Sequence, residues 1–287
     1  MRILVTNDDG IGSEGIHVLA GALHDAGHDV FVVAPAHDCS GASCALGRMH
    51  PDEHVEVTRV ELPTAPEVEA WSLAGPPGLA VLATVLGGFG DRRPDLVVSG
   101  VNAGLNTGRA ILHSGTVGAV LTAQNFGLSG LAVSVQSSEQ WYWETAAALA
   151  VEALPLVADA PARTALNLNV PALPRQQVRG LRWARLAPFG EVRAGVEGPA
   201  HDRLQFVLRR VEMDHDEDTD QGLVQAGYAS LTTLVGVVEA WPDESGLEAG
   251  PTELAERLVP GAPVHPVHRV PDPSNGGVLR RPRLGEG

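Results

Sequence analysis

Apolar residues in this chain fall in short unbroken runs that alternate with stretches in which they recur three and four positions apart, a pattern that predicts strands alternating with helices. The first run, Met1-Arg2-Ile3-Leu4-Val5-Thr6, stops at Asn7-Asp8-Asp9-Gly10 and reads as a buried strand of a parallel sheet. Ser13 is placed to cap a helix whose apolar positions are Ile16, Leu19, Ala20 and Leu23, and Gly27 supplies its stop. Residues 29–35 form a second apolar run, so the chain opens as a strand-helix-strand unit with a right-handed crossover. Residues 55–62 and 69–74 alternate like a hairpin. Pro77 suits the first position of a helix that Gly87 and Gly88 close. Further strands are expected over 94–100, 131–135 and 165–170, with helices over about 117–126 and over 138–154, the latter carrying Trp141 and Trp143.

Beyond about residue 175 the period changes. Residues 178–186 and 204–211 read as longer alternating strands separated by a Gly-rich stretch, 190–198, with acidic residues over 212–220 behind them, and 229–239 adds another strand or two. The expected organisation is a mainly parallel α/β core over 1–175 and a C-terminal antiparallel β excursion over 176–242, of a kind used for oligomer contacts. A Pro- and Gly-rich tail follows over 243–287, its last residues expected to be poorly ordered.

In a parallel sheet the carboxyl ends of the strands share one edge, and ligands bind beyond it. That edge collects Asn7, Asp8 and Asp9, then Ser40 and Gly41 from the loop after the second strand, then Asn102 and Asn106. Beside them stands Ser114-Gly115-Thr116 at a helix start, where free N–H groups and the helix dipole make a seat for an anion. Each piece alone has a plainer reading. Asn-Asp-Asp-Gly is good turn chemistry, and Thr116 would serve as a simple N-cap.

With 287 residues, 44% hydrophobic and 19% charged, the chain can bury a full core. No apolar run of about twenty residues and no basic-then-apolar leader is present, so neither a membrane span nor a signal peptide is expected, and the cytoplasm is the expected compartment. Cys39 and Cys44, the only cysteines, are expected to be free thiols. A formal charge of −15 argues against gripping a nucleic-acid backbone and sets a problem for any anionic substrate. A metal solves it. Two carboxylates with hydroxyl and amide oxygens are hard ligands that suit Mg²⁺, Mn²⁺ or Ca²⁺ better than zinc. An ion bridging Asp8 and Asp9 to a phosphoryl oxygen, with the helix N-terminus beside it, points to metal-assisted phosphoryl transfer, most simply to water.

Four segments in this order, Asn7-Asp8-Asp9-Gly10, Ala34-Pro35 followed by Ser40-Gly41-Ala42-Ser43, Ser99-Gly100-Val101-Asn102-Ala103-Gly104 and Ser114-Gly115-Thr116-Val117, resemble the SurE family of survival-protein nucleotidases. Residues 166–171, Asp218-Thr219-Asp220 and 227–230 look like its later landmarks, so the resemblance covers roughly 1–235. It implies a Rossmann-like three-layer α/β sandwich and a metal-dependent phosphatase of nucleoside 5′- and 3′-monophosphates, assembled as a dimer or tetramer. By motif match it implies Asp8, Asp9, Ser40 and Asn102 as ligands of one Mg²⁺ or Mn²⁺ per subunit, and Asn7, Asn106, Ser114, Gly115 and Thr116 as phosphate contacts. Asp8 and Asp9 are then the catalytic acids, anchoring the ion that activates the attacking water; Asp8 as direct nucleophile is the runner-up.

The chain departs from the family in two loops. Ala36-His37-Asp38-Cys39 stands where basic residues are usual, and Gly75-Pro76-Pro77-Gly78-Leu79 lacks the family's Thr and Asp, which leaves substrate preference open. Arg109 either grips phosphate in place of the missing basic loop or is a solvated loop residue. His113 either protonates the leaving alkoxide or is packed at a junction. Trp141 and Trp143 read as packing residues. The rival readings are a nucleotide binder without hydrolysis and a phosphatase of another phosphoester. Against the first, no Gly-x-Gly-x-x-Gly follows the opening strand and no Gly-Lys-Ser/Thr loop exists.

Overall fold

Strand β1, Arg2–Thr6, is apolar on both faces because it lies in the middle of the sheet, parallel to β2, Asp29–Pro35, on one side and to β5, Leu96–Ala103, on the other. The computed structural model describes residues 1–50, 52, 54–188, 192–197, 205–210 and 216–238. Outward from β2 come β4, Glu69–Leu73, parallel to it, and β3, Val57–Val60, antiparallel to β4, so the expected hairpin forms the sheet's edge. On the other side β6, Ser129–Val135, and β7, Ala165–Val170, continue the parallel order. The sheet ends with β11, Ala229–Leu234, antiparallel to β7, and β8, Leu181–Trp183, giving nine strands in the order β3-β4-β2-β1-β5-β6-β7-β11-β8. The chain winds outward from β1, returns to β5 at its side and winds the other way. The crevice between the carboxyl ends of β1 and β5 is therefore the switch point at which such sheets bind ligands.

Helices cover both faces. Side chains alternate across a strand, so Ile3 and Val5 face α1, Glu14–Asp25, and α4, Trp143–Ala158. Leu4, Phe31, Val33 and Val97 face α2, Pro77–Val85, and α3, Gly115–Asn125. The result is the three-layer α/β sandwich that the sequence predicts.

Several boundaries move, the following among them. The β5 strand continues through Asn102 and Ala103, with a register shift against β6 between Ser99 and Asn102, so Asn102 sits on the strand rather than after it. Helix α4 begins at Trp143, not 138, because Trp141 lies in the lead-in and stacks on Trp143 at 4.7 Å while the Trp143 indole N–H donates to Glu14. Strand β8 pairs over three residues only, far short of 178–186; Arg185 then turns away to bridge Thr219.

Strands β9, Val192–Glu197, and β10, Gln205–Arg210, form a separate antiparallel pair, and a short helix α5, Asp220–Gln225, precedes β11. Contacts group Met1–Gly236 into one compact unit. The rest of the Gly-rich and acidic stretches, and the tail over 243–287, lie outside the described residues. No helix among the described residues is long and apolar enough to cross a membrane.

Candidate active site

Asp8 leaves the end of β1 almost completely buried, and its carboxylate closes the N-terminus of α3. Its Oδ2 accepts the Gly115 N–H at 3.0 Å, and its Oδ1 accepts the Thr116 hydroxyl. A Cβ on Gly115 would lie 2.7 Å from the Asp8 Cβ, so only glycine lets the helix approach. The helix cap is Ser114, whose hydroxyl accepts the Val117 N–H, and not Thr116. Thr116 is freed to lie between Asp8 and the Asn102 Oδ1, 3.2 Å away. The anion at this helix start is thus the protein's own carboxylate.

The Ser40 loop is tied to the same point. The Cys39 N–H donates to the Asp8 carbonyl at 2.7 Å, and the Asp38 carboxylate accepts the Ser40 N–H at 2.7 Å, which leaves Ser40 exposed beside Asp8. Further along, the Ser43 hydroxyl donates to the Leu112 carbonyl, and a Cβ on Gly118 would fall 2.0 Å from the Ser43 carbonyl. Gly115 and Gly118, one helical turn apart, are what allow β1 and this loop to close on α3 together.

Asn7 is fully buried, and both its side-chain N–H bonds turn inward, to the Gly10 carbonyl at 3.0 Å and the Ser13 hydroxyl at 2.7 Å. Ser13 stands at the N-cap of α1, as expected, but its hydroxyl caps no helix N–H. Asn7 Oδ1 is buried without a hydrogen-bond partner. Asn106 is held on several sides. Its N–H donates to Asn169 Oδ1, its carbonyl accepts from Asn167 and Asn169, and its side-chain amide donates to Ser134. The next residues are gripped from α5: Thr107 donates to Gln221 at 2.6 Å, and buried Asp220 accepts the Gly108 N–H at 2.8 Å. Asn167 and Asn169 stand out in sequence only as two polar residues alternating in an apolar strand, and Asp220 as the residue after a capping threonine.

Both acids are held above the ordinary carboxylate range. Burial raises the Asp8 carboxyl against the hydrogen bonds that lower it. Burial, then the Asp8 charge, pushes Asp9 up to about 6, opposed by one long bond from the Ala103 N–H at 3.4 Å. None of the ion pairs among the described residues involves either acid. Nor does any cluster of three or more His, Cys, Asp or Glu able to hold a metal occur among them; this site has two acids, with the Thr116 hydroxyl and the Asn102 amide oxygen next to Asp8. Hard oxygen donors with uncompensated negative charge fit a Mg²⁺- or Mn²⁺-like ion.

Arg109 and His113 are both exposed on the 3₁₀ turn Gly108–His113, so His113 is not packed into a junction. Cys39 and Cys44 are free thiols.

A doubly wound, mainly parallel sheet with paired acids, an asparagine and a helix N-terminus at its switch point defines a Rossmann-like α/β protein with an oxygen-rich site. The family described as "Survival protein SurE" matches residues 3–190. A protein of Xanthomonas campestris pv. campestris, named 5′-nucleotidase SurE, is 43% identical over 82% of this chain and 89% of its own. One of that name from Gloeobacter violaceus is 42% identical with the same coverage. The crystal structure of the SurE protein from Aquifex aeolicus superposes with a TM-score of 0.72 at 26% identity, over 86% of this chain and 98% of that one. The chain belongs to the SurE family.

Proposed function

We propose that this protein is a metal-dependent phosphomonoesterase that hydrolyses nucleoside 5′- and 3′-monophosphates to nucleoside and phosphate. The single observation that carries the reading is the pair of adjacent, uncompensated acids at the switch point, with Asp8 locked onto the α3 N-terminus. The naming of family members as 5′-nucleotidases supports the substrate class.

Asp8, Asp9, Ser40 and Asn102 would hold one Mg²⁺ or Mn²⁺. Bound there, the ion supplies positive charge to phosphoryl oxygens and lowers the pKa of water. The remaining work belongs to the chain. Gly115 and Thr116 fix the Asp8 carboxylate, so its orientation needs no reorganisation during reaction. Asp9, less buried, is the acid that faces solvent. Asn106 offers its side-chain amide to the phosphate, while Ser114 and Asn7 shape the helix cap and the β1 turn around it. Each Asp8 oxygen accepts one hydrogen bond and keeps lone-pair capacity for a cation, the role assigned to it here. The β9–β10 pair, with Val196 and Phe206 exposed opposite each other, is the surface assigned to a homodimer or tetramer.

The test is phosphate release from a panel of 5′- and 3′-nucleotides, sugar phosphates and an aryl phosphate, with Mg²⁺ or Mn²⁺ and after chelation. Metal-dependent release that favours nucleotides is expected. Tight nucleotide binding without release would show a binder, and preference for another phosphoester would move the substrate class.

A further inference from the structure

Strand β7 carries two asparagines, Asn167 and Asn169, both with no exposed surface, in a strand otherwise made of Ala, Leu and Val. Asparagine is a poor strand residue, and a buried amide carries a desolvation cost that leucine or valine would not. Two positions apart, the two side chains leave the same face of the sheet. Their carboxamides converge on one residue 61 to 63 positions earlier in the chain.

Asn169 grips both main-chain groups of Asn106: its Oδ1 accepts the Asn106 N–H at 2.8 Å, and its Nδ2 donates to the Asn106 carbonyl at 2.9 Å. Asn167 donates to the same carbonyl at 2.8 Å. The Asn106 side chain is held at 2.9 Å by Ser134, which lies beside Asn169 in the β6–β7 register. Main chain and side chain of Asn106 are thus oriented from one patch of sheet. The patch extends to β11, where Ser230 lies opposite Asn169 and Thr232 opposite Asn167. Their hydroxyls and the Asn167 Oδ1 are buried without hydrogen-bond partners, so the strand pair keeps unmet polar groups in its core to maintain this arrangement.

We infer that Asn167 and Asn169 are positioning residues that set the Asn106 amide toward the phosphate; the inference rests on the proposed role of Asn106 as a phosphate contact. Ser134 takes one hydrogen of the Asn106 Nδ2, and the second is the one presented to a phosphoryl oxygen. Loss of the clamp frees the Asn106 main chain to rotate the amide away, and small misplacements of a binding group are costly in rate.

A double-mutant cycle tests this, with steady-state kinetics on a nucleoside 5′-monophosphate in Mn²⁺ and the inhibition constant of inorganic phosphate as readouts. Asn106→Ala, Asn169→Ala and the double variant are each confirmed folded by thermal melting. Each single change is expected to lower kcat/KM on the order of 10- to 100-fold and to weaken phosphate inhibition in parallel. The double variant should lie within about twofold of the weaker single one, since residues acting through one another are not additive. An Asn169→Ala enzyme near wild type beside an impaired Asn106→Ala enzyme, or two effects that multiply, overturns the inference. An unimpaired Asn106→Ala enzyme removes the phosphate role itself, and the inference with it. If Asn169→Ala does not fold, the same cycle is run with Asn167→Ser, which withdraws one amide donor from the Asn106 carbonyl.

Discussion

The Asp8 carboxylate and the Gly115 N–H form a 3.0 Å hydrogen bond that joins the end of β1 to the start of α3. A helix N-terminus stabilises an anion, and here that anion is built into the chain. The bond holds one oxygen of the proposed metal anchor in place before substrate arrives.

Replacing Gly115 by Ala puts a Cβ 2.8 Å from the Asp8 Oδ2, and the carboxylate must move. Turnover should fall on the order of 100-fold, with weaker Mn²⁺ binding by calorimetry, although alanine is the better helix former. An enzyme within about twofold of wild type would show that the contact does not set the site.

The Thr116 hydroxyl touches both Asp8 and Asn102. Thr116→Val keeps the shape and removes the hydroxyl; Thr116→Ser keeps the hydroxyl. The valine variant should lose roughly 10- to 100-fold in kcat/KM, and the serine variant should recover most of it. Equal loss in both assigns Thr116 to packing.

Asp9 gives a prediction in the absence of metal. Its folded pKa of about 6 lies above the ordinary value of 3.8, so the folded state holds the proton more tightly. The stability that follows is fully present below 3.8 and is lost as pH rises through about 6. Asp9→Asn carries no such charge. With metal removed it should melt above wild type at pH 7 and level with it near pH 4, as read by thermal denaturation. A constant offset across that range contradicts the assignment.

The layer structure was legible because the apolar run at 29–35, and the Ala, Leu and Val positions around the two asparagines of 165–170, are buried and end at turn or proline signals; they match β2 and β7. The edge on which Asp8, Ser40, Asn102 and Thr116 gather followed from the parallel order, and the structure links these segments through the Cys39, Gly115 and Thr116 hydrogen bonds. Partners far apart in sequence were not legible. Nothing near Asn167 or Asn169 announces Asn106, and nothing near Asp220 announces Gly108, 112 positions away. The capping role falls to Ser114 and not Thr116 because the helix starts at Gly115, which puts Thr116 inside its first turn, where its hydroxyl donates to a carboxylate from β1 that no local pattern reports. The short β8 has the same origin: its extent is set by pairing with β11, not by its own alternation.

The most direct test of the central claim is a metal titration of the stripped enzyme, wild type beside Asp9→Asn, following phosphate release from a nucleoside 5′-monophosphate. The account predicts no release without metal, saturable recovery with one Mn²⁺ or Mg²⁺ per subunit in wild type, and a loss on the order of 1,000-fold in Asp9→Asn at any metal concentration. Release that survives chelation, or an Asp9→Asn enzyme that turns over at the wild-type rate, would contradict it.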